Sequence, residues 1–408
     1  MKFILIFISL FFVFISHARV YRHSSMFQDV EWKLSTTNRN YFDEAGNHIL
    51  LISKLYGLLN HSFLPTVDFS AEYILDTRQG ATQSTYVSKQ SNDQIYPAHM
   101  YLSVRPLESE PLFVRAGLIN QDFLNAPLLI SDWTFLGFQQ EYILHHKALL
   151  KYMDNLKLVV QQTIPSSETG LEHLEQVQDI ATFYTASLFA SSFVQNEVQT
   201  TGNLTAFYFR NLSSATAEYG RVYGNEVRQD YFGPDAEFLY PFYGLYTRAT
   251  ARYNLFPELG LEFDASLLWN IGATVGAYQR VKAGDIDEDS PIQQQASGDI
   301  DVNSIRAKAF GYNMWMGLHI PIAKEVIMVL SLEYFNNDSN ASPAYYNSDR
   351  YVHSGRYGVI LGVKSIFEKY NVFFDLQYAT IRSTPDARQS IGNPNYLSFE
   401  IGTEYDKI

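Results

Sequence analysis

Apolar and polar residues alternate with a period of two along most of the chain. In the segment 259–271 every odd-numbered position is apolar, whereas Glu262, Asp264 and Asn270 lie among the even-numbered positions. Because successive side chains of a β-strand point to opposite faces, this alternation predicts a long strand with one apolar and one polar face. Its length exceeds the usual about five or six residues and suits a tilted strand of about 9–11 residues that crosses a membrane.

The same alternation recurs along the chain and predicts further strands. Short connections, several of which contain Pro, alternate with long polar ones, as they do in antiparallel barrels of outer membranes. The strands are predicted near 27–37, 48–59, 66–76, 98–106, 111–119, 133–143, 154–164, 180–192, 202–212, 240–253, 258–272, 301–318, 325–336, 356–367, 371–382 and 395–405. The predicted fold class is all-β, a single antiparallel transmembrane β-barrel of about 16 strands. Barrels of about 14 or about 18 strands are alternatives, because the pattern is ambiguous at 138–153 and 213–239.

A closed barrel satisfies the backbone of strands that lie in lipid. Lipid offers no partner to an unpaired N–H or C=O group, so the strands must pair with one another until the sheet closes. Aromatic residues near predicted strand ends, such as Trp269, Tyr357 and Tyr396, suit the two interfacial girdles of such a barrel. A soluble β-sandwich or propeller is the alternative, but its strands would be shorter and its turns more closely spaced.

The N-terminus has the pattern of a secretory signal peptide. Lys2 precedes an apolar run over 3–15, and the small residues Ser16 and Ala18 follow it. Cleavage after Ala18 divides the chain into a signal peptide at 1–18 and a barrel at 19–408. A retained membrane anchor is the alternative, although the apolar run is shorter than the about 20 residues of a spanning helix.

Composition and charge exclude several classes of protein. The chain has 29 Tyr and 29 Phe but a mean hydropathy of -0.14, so its apolar residues are interleaved with polar ones. Interleaving excludes a bundle of membrane-spanning helices, and the aromatic content excludes a disordered chain. The formal charge of -13 makes nucleic acid an unsuitable partner. With no Cys, the chain has neither disulfides nor thiolate chemistry.

The export signal, the long alternating strands, the alternating loop lengths and the aromatic-rich last strand resemble the bacterial outer-membrane β-barrels. The size and strand number resemble the porins within that class. This resemblance implies a channel for passive diffusion of small hydrophilic solutes in the outer membrane of a Gram-negative bacterium. It also implies contacts with outer-membrane lipid and lipopolysaccharide, and a homo-oligomer is one possible assembly. A structural or adhesive barrel that acts through long outer loops is the alternative, and an outer-membrane hydrolase is a weaker third.

No motif in the sequence specifies an enzyme, a cofactor or a metal site. The acidic loop 284–301 carries Asp285, Asp287 and Asp289 at the spacing of a calcium-binding loop, but it lacks the Gly and Glu that complete that motif. A solvated acidic loop is the simpler interpretation. The sequence therefore predicts no catalytic residue, no metal ligand and no cofactor.

Charged residues on the polar face of the strands are predicted to line the lumen. A charge that faces lipid costs about 2–4 kcal/mol for Arg or Lys at the midplane, so such residues should face water inside the barrel. The predicted pore-lining residues are Arg105, Arg115, Arg248, Arg252, Glu262, Asp264, Arg306, Lys308 and Arg356. A passive polar lining is the simpler alternative to selection of permeants by these charges.

The loop 120–132 is predicted to fold into the lumen as a constriction. It combines Asp122 and Asp132 with apolar residues such as Phe123 and Leu128, which are hard to explain in a solvated outer loop. The apolar residues would pack on the wall while the carboxylates face the pore. An outer loop packed on its neighbours is the alternative. Two carboxylates at the constriction predict a weak preference for cations.

Overall fold

A computed structural model shows a closed barrel. The structure describes residues 29–43, 46–64, 66–80, 94–106, 111–131, 133–144, 153, 155–165, 180–194, 198–227, 236–256, 259–283, 308–351, 354–384 and 395–403. Within these residues, sixteen strands each pair with their neighbours in sequence, and the first pairs with the last. Every pairing is antiparallel, so the sheet closes without a free edge.

The predicted fold class is confirmed, and most strand bounds lie within a few residues of those predicted. The strands are β1 Asp29–Asp43, β2 Gly46–Leu64, β3 Val67–Gly80, β4 Gln94–Val104, β5 Leu112–Asn120, β6 Thr134–Ile143, β7 Asn155–Ile164, β8 Thr182–Val194, β9 Val198–Arg210, β10 Phe242–Phe256, β11 Leu259–Asn270, β12 Phe310–Ala323, β13 Val326–Asn337, β14 Arg356–Phe367, β15 Val372–Ser383 and β16 Asn395–Thr403. We call the end of the barrel with the β2–β3, β12–β13 and β14–β15 connections the short-turn end, and the opposite end the long-loop end.

The strand predicted from residue 301 differs from the structure just before β12. Residues 301–307 lie outside the described residues, and β12 begins at Phe310, after Lys308 and Ala309. Lys308 has φ 46° and is not extended, and its carbonyl oxygen accepts a hydrogen bond from Asn340 N at 2.8 Å. The backbone therefore pairs here with a loop instead of with the sheet, and a pattern of alternating residues cannot show that choice.

In the ambiguous region 213–239, the described residues 213–227 and 236–239 contain a helix and no strand. Helix α1 spans Ser214–Val222, and Ser213 caps it by accepting a hydrogen bond from Thr216 N at 3.2 Å. A second helix, α2, spans Ile271–Ala283 and follows β11 directly. Within the described part of the chain, no helix is both long enough and apolar enough to cross a membrane.

The two faces of the barrel wall differ as the alternation predicts. On β14, for example, Val359 and Leu361 are exposed, whereas Gly358 and Ile360, which directly precede them, are buried. The exposed apolar side chains of the wall include Leu75, Leu102, Leu136, Leu158, Leu188, Leu204, Leu245, Leu267, Met314, Leu330, Leu361, Leu376 and Leu397. These side chains form an apolar belt around the outer face, and the opposite parity faces the lumen.

Aromatic side chains on the outer face border this belt at both ends. At the long-loop end, Tyr208 contacts Tyr184 and Tyr243, and the ring of Trp269 stacks on that of Phe310. At the short-turn end, Phe374 contacts Phe367 and Phe399. Tyr and Trp combine an apolar ring with a polar group and so favour a membrane interface, and together with the Phe residues they suit the predicted aromatic girdles.

The hydrophobic core lies inside the barrel near its long-loop end. It joins lumen-facing aromatic residues of the wall, such as Phe135, Phe183 and Phe335, to buried residues of two connecting loops. We call residues 121–131, 213–227 and 338–351 together the loop plug. Many plug residues have almost no exposed surface, so the plug is packed like a protein interior.

Candidate functional site

The first loop of the plug is shaped by two asparagines. Asn120 Oδ1 accepts a hydrogen bond from Asp122 N at 2.8 Å and so caps a short 3₁₀ turn over Gln121–Leu124. Asn125 ends this turn in the left-handed conformation, with φ 50°, and its N–H donates to Asp122 O at 2.9 Å. Asn tolerates this conformation better than most residues with a Cβ. The chain therefore reverses just after β5 and enters the lumen.

This loop is held against the wall of β9 and β10. Asn203 Nδ2 donates to Leu124 O at 2.7 Å, and Tyr246 OH donates to Asn125 O at 3.0 Å. Arg248 reaches both the carbonyl and the side-chain oxygen of Asn125. Asn203, Tyr246 and Arg248 all face the lumen, so residues 121–125 lie inside the barrel.

The second loop of the plug packs on the first. Tyr346 has 1% exposure, and its ring contacts Phe135 of β6, Phe209 of β9 and Trp133. Ser131 N donates to Tyr346 O at 3.0 Å, and Ser342 Oγ donates to Leu128 O at 2.7 Å. Because the second loop starts from β13 and reaches β6 and β9, it extends across the lumen.

A buried carboxylate on β13 anchors the second loop. Glu333 has 3% exposure and faces the lumen. Arg350 donates to Glu333 Oε2 at 2.6 and 3.0 Å, while Tyr351 OH and Asn313 Nδ2 donate to Oε1 at 2.6 and 3.1 Å. Both carboxylate oxygens therefore have partners, as a buried charge requires.

The electrostatics of this anchor follow from burial and from the Glu333 charge. Burial and the neighbouring Glu333 carboxylate raise the pKa of Tyr351 well above its usual value. Burial alone would lower the pKa of Arg350, but the attraction of Glu333 outweighs it, so that pKa is raised. The cluster therefore holds Arg350 as a cation and Tyr351 as a neutral hydrogen-bond donor.

The third segment, which includes α1, joins the second loop and the connection that precedes β12. Asn225 Nδ2 donates to Ser339 O and Ser342 O at 2.5 and 2.8 Å. Glu226 accepts from Lys308 Nζ at 2.6 Å and from Asn340 Nδ2 at 2.8 Å. The plug is thus one cross-linked unit instead of three independent loops.

A recess of about 220 Å³ lies between the first loop and the wall. Phe123 and Phe189 line it with their rings 6.4 Å apart, and Asn125, Asn203 and Arg248 supply polar groups. Thr201, Thr250, Asn155, Ser191, Ala190 and Gly202 complete the lining. Aromatic, amide and hydroxyl groups at a constriction can contact a hydrated solute as it passes.

The charged residues predicted to line the lumen are largely paired. Arg248 Nε lies 2.9 and 2.8 Å from the two carboxylate oxygens of Asp264. Arg115 lies 3.0 Å from Glu141 Oε2. Glu262 Oε2 lies 3.0 Å from His319 Nε2. Arg248 with Asp264 and Arg115 with Glu141 are pairs of opposite charges, so part of the lumenal charge is locally balanced.

The other predicted residues have different positions. Arg105 lies beyond β4 with its guanidinium 4.8 Å from the ring centre of Phe113, and Arg252 is exposed opposite Glu262 on the lumen face. Arg356 is buried and donates to Ser383 Oγ. Lys308 lies in the connection before β12 and binds Glu226, as described above.

Asp122, Asp132 and Arg306 are the remaining predicted residues. Asp122 is exposed on the inward loop, and Asn120 Nδ2 lies 3.3 Å from its Oδ2. Asp132 and Arg306 lie outside the described residues. The roles of all the predicted residues in selecting permeants remain predictions.

Sequence reasoning missed the residues that bind the two loops to the wall. Asn125, Glu333 and Arg350 are isolated polar residues in the sequence, and their pairing depends on distant segments. Tyr345–Tyr346 within the polar segment 337–350 was the available signal, because adjacent aromatic residues in a polar loop indicate burial. Among the described residues, no group of three or more His, Asp or Glu could hold a metal ion.

Known proteins of similar structure are bacterial outer-membrane proteins. No protein-family model matches the chain, and no curated protein matches it by sequence. The high-pH structure of Pseudomonas putida OprB has a TM-score of 0.53 and 9% identity, with 92% of this chain and 94% of that chain covered. A loop L8 deletion mutant of OmpT, an outer membrane protein of Vibrio cholerae, has a TM-score of 0.47 and 9% identity, with 92% and 98% covered. Pseudomonas aeruginosa OpdK with vanillate has a TM-score of 0.45 and 11% identity, with 93% and 99% covered.

At 9–11% identity these similarities concern the fold alone. The conclusion about the fold rests on OprB, whose TM-score is above 0.5. The chain has the fold of the bacterial outer-membrane β-barrels, which confirms the resemblance of its sequence to that class.

Proposed function

We propose that this protein is a porin-like channel of a Gram-negative outer membrane that passes small hydrophilic solutes by diffusion. The observation that carries the proposal is a lumen lined by paired charges and narrowed by loops that fold inward. A wall of this kind offers water and hydrogen bonds to a solute along its path. The apolar belt on the outer face would contact lipid, and lipopolysaccharide would surround the long-loop end.

In this mechanism the loop plug sets the size limit and the wall sets the charge preference. The plug crosses the lumen at the long-loop end, so a solute passes between it and the remaining wall. Arg248 is neutralised by Asp264 there, and the inward loop exposes the carboxylate of Asp122. A weak preference for cations follows, with Asp132 as a further contributor.

Planar lipid bilayers test this proposal. The purified barrel should give small, stepwise conductance, and liposomes that contain it should swell in small sugars but not in large ones. A salt gradient should give a reversal potential that favours cations and that falls in Asp122→Asn. Absence of conductance, both in the wild type and after the plug is loosened, would exclude a channel.

A structural barrel that acts through its outer loops is the second candidate. The burial of the plug favours it, because a well-packed plug can close the lumen. In that case the wild type would not conduct, whereas a variant with a weakened plug would. The same bilayer measurements therefore distinguish a plugged barrel from an open channel.

A further inference from the structure

A serine, a histidine and a glutamate lie together in the lumen, away from the loop plug. Ser70 and Glu72 are two residues apart on β3 and so share its lumen face, and His99 lies directly opposite Glu72 on β4. Ser70 Oγ is 2.8 Å from His99 Nε2, and His99 Nδ1 is 3.4 Å from Glu72 Oε2. Both ring nitrogens of His99 therefore face a partner.

The chemistry of these groups determines which atom donates and which accepts the proton in each contact. An ionised carboxylate only accepts hydrogen bonds, so Glu72 favours the tautomer of His99 with its proton on Nδ1. The lone pair on Nε2 then faces the Ser70 hydroxyl and can accept its proton. The His99 ring also stacks on Tyr101, with centroids 5.2 Å apart, which limits its rotation. The side chains of His99 and Glu72 are 15% and 14% exposed, which leaves them partly shielded from water.

We propose that Ser70, His99 and Glu72 form a catalytic triad that hydrolyses carboxylic esters admitted to the lumen. The arrangement has a nucleophile, a base within hydrogen-bond reach, and an acidic residue that orients the base. The 3.4 Å separation from Glu72 is long for a hydrogen bond, and such contacts often tighten only when substrate is bound. The triad has a role separate from the channel, and its activity is testable without conductance.

The reaction proceeds through an acyl-enzyme. Ser70 Oγ attacks the ester carbonyl carbon while His99 Nε2 takes the serine proton, which forms a tetrahedral oxyanion. The oxyanion collapses, the carbon–oxygen bond to the alcohol breaks, and His99 returns the proton to the leaving alcohol. Water then attacks the acyl group with His99 as base again, which releases the carboxylic acid and restores Ser70.

The neighbouring wall suggests both an oxyanion donor and a substrate class. Asn60 on β2 lies directly opposite Ser70 on the same face, where opposed Cβ atoms are about 5 Å apart. We assign the Asn60 amide N–H group to the oxyanion. Asp68 shares the lumen face and binds Ser62 Oγ at 2.6 Å, so carboxylates border the site on β3. They disfavour an anionic substrate, and a small uncharged ester fits best.

The test uses the purified full-length barrel folded in detergent. A fluorophosphonate probe should label Ser70, identified by mass spectrometry of the modified peptide, and p-nitrophenyl acetate should be hydrolysed. Ser70→Ala should lose the label and lower the rate about 10³-fold or more. Ser103→Ala is the matched control, because Ser103 is a lumen-facing serine on β4, and it should keep both signals.

Two further variants separate catalysis from structure. Glu72→Gln should lower kcat with little change in KM, and Asn60→Ala should do the same through the oxyanion. Heat-modifiable gel mobility confirms that each variant is folded. Wild-type protein that is folded but unlabelled at Ser70, or Ser70→Ala with the wild-type rate, would overturn the proposal.

Discussion

At the scale of single residues, Arg248 is where the wall meets the loop plug. Its guanidinium binds Asp264 on the neighbouring strand and also the backbone and side chain of Asn125 on the inward loop. One side chain therefore positions the loop and neutralises a carboxylate beside the recess. Its loss would change the electrostatics at the constriction as well as the packing of the loop.

The charge preference of the channel should depend on this pair. Asp264→Asn leaves the Arg248 cation uncompensated and should shift the reversal potential toward anions. Arg248→Gln leaves the Asp264 carboxylate and should shift it toward cations. Both shifts should be larger at 0.1 M salt, where the Debye length is about 10 Å, than at 1 M, where it is about 3 Å.

The double variant Arg248→Gln/Asp264→Asn is the control for charge. It removes both charges and should return the reversal potential close to that of the wild type. If both single variants shifted the potential in the same direction, loop displacement would explain the effect and the assignment of charge would be wrong.

The ionisation of the Tyr346 hydroxyl with rising pH should show whether the plug is buried. Burial raises the pKa of Tyr346 far above its usual value. The unfolded chain releases this proton near pH 10, while the folded plug retains it. The contribution of Tyr346 to the free energy of unfolding is therefore fully present below about pH 10 and decreases above it. The difference in absorbance at 295 nm between wild type and Tyr346→Phe should show no phenolate at pH 10–11.

The same pair of proteins in guanidinium chloride provides the control. There the difference should titrate with a midpoint of about 10, the ordinary value for a tyrosine. A difference that titrates at this value in the folded protein as well would show that Tyr346 is accessible to solvent.

At the scale of elements, the 338–351 loop of the plug is stabilised by an ionic anchor to the wall and by extensive packing. The 338–351 loop meets the wall through Arg350 and Tyr351, which share the two oxygens of Glu333. Because Glu333 lies on a strand whose register is set by both neighbours, its carboxylate is a fixed point for the loop. The mobility of the plug should therefore depend on this residue.

Glu333→Gln should loosen the plug while the barrel remains folded. Removing one partner of a fully buried pair costs about 3–5 kcal/mol, and about 2 kcal/mol is expected here because Arg350 is partly exposed. Conductance should increase or fluctuate more, and protease should cleave within 338–351 more rapidly. Glu325→Gln is the matched control, since Glu325 is exposed at the short-turn end, 3.9 Å from Lys369. Equal behaviour of the two variants would contradict the anchor.

At the scale of the whole molecule, the barrel separates two solvents. Most strands carry exposed apolar side chains on the outer face, whereas the lumen face carries amides, hydroxyls and paired charges. Neighbouring residues on one strand therefore lie in different media. Leu376 is exposed on the outer face, and the next residue, Gln377, faces the lumen and donates to Asp375 Oδ2 at 2.6 Å.

The same substitution at these two positions should have very different costs. Leu376→Arg should destabilise the barrel in lipid vesicles by about 2–4 kcal/mol, because it places a charge in the apolar belt. Gln377→Arg should cost far less, because water and Asp375 can accommodate the charge. Unfolding by urea in vesicles measures both, and heat-modifiable mobility reports the folded fraction. Equal destabilisation would mean that the two faces are misassigned.

Local alternation was enough to predict the fold class and most strand bounds. Period-two patterning depends only on the geometry of a strand and on the different media at its faces, so residues such as Leu267 and Asp264 were placed on opposite faces without reference to distant segments. At Lys308, just before β12, the alternation did not predict where the strand begins, since the backbone there pairs with Asn340 instead of with the sheet. Helix α1 was missed for a similar reason: its capping residue is local, but its place in the plug is not.

The sequence by itself thus determined a barrel with an apolar outer face, a charged lumen and an unusually apolar segment at 120–132. Only the tertiary structure decided which charges pair, that 338–351 folds inward beside 121–131, and that Ser70, Glu72 and His99 meet. Pairing of Arg350 with Glu333 or of His99 with Ser70 joins positions separated by 17 and 29 residues. Their distances depend on strand register and loop path, which closure of the barrel sets for all strands together. Alternation along one strand carries no information about that closure.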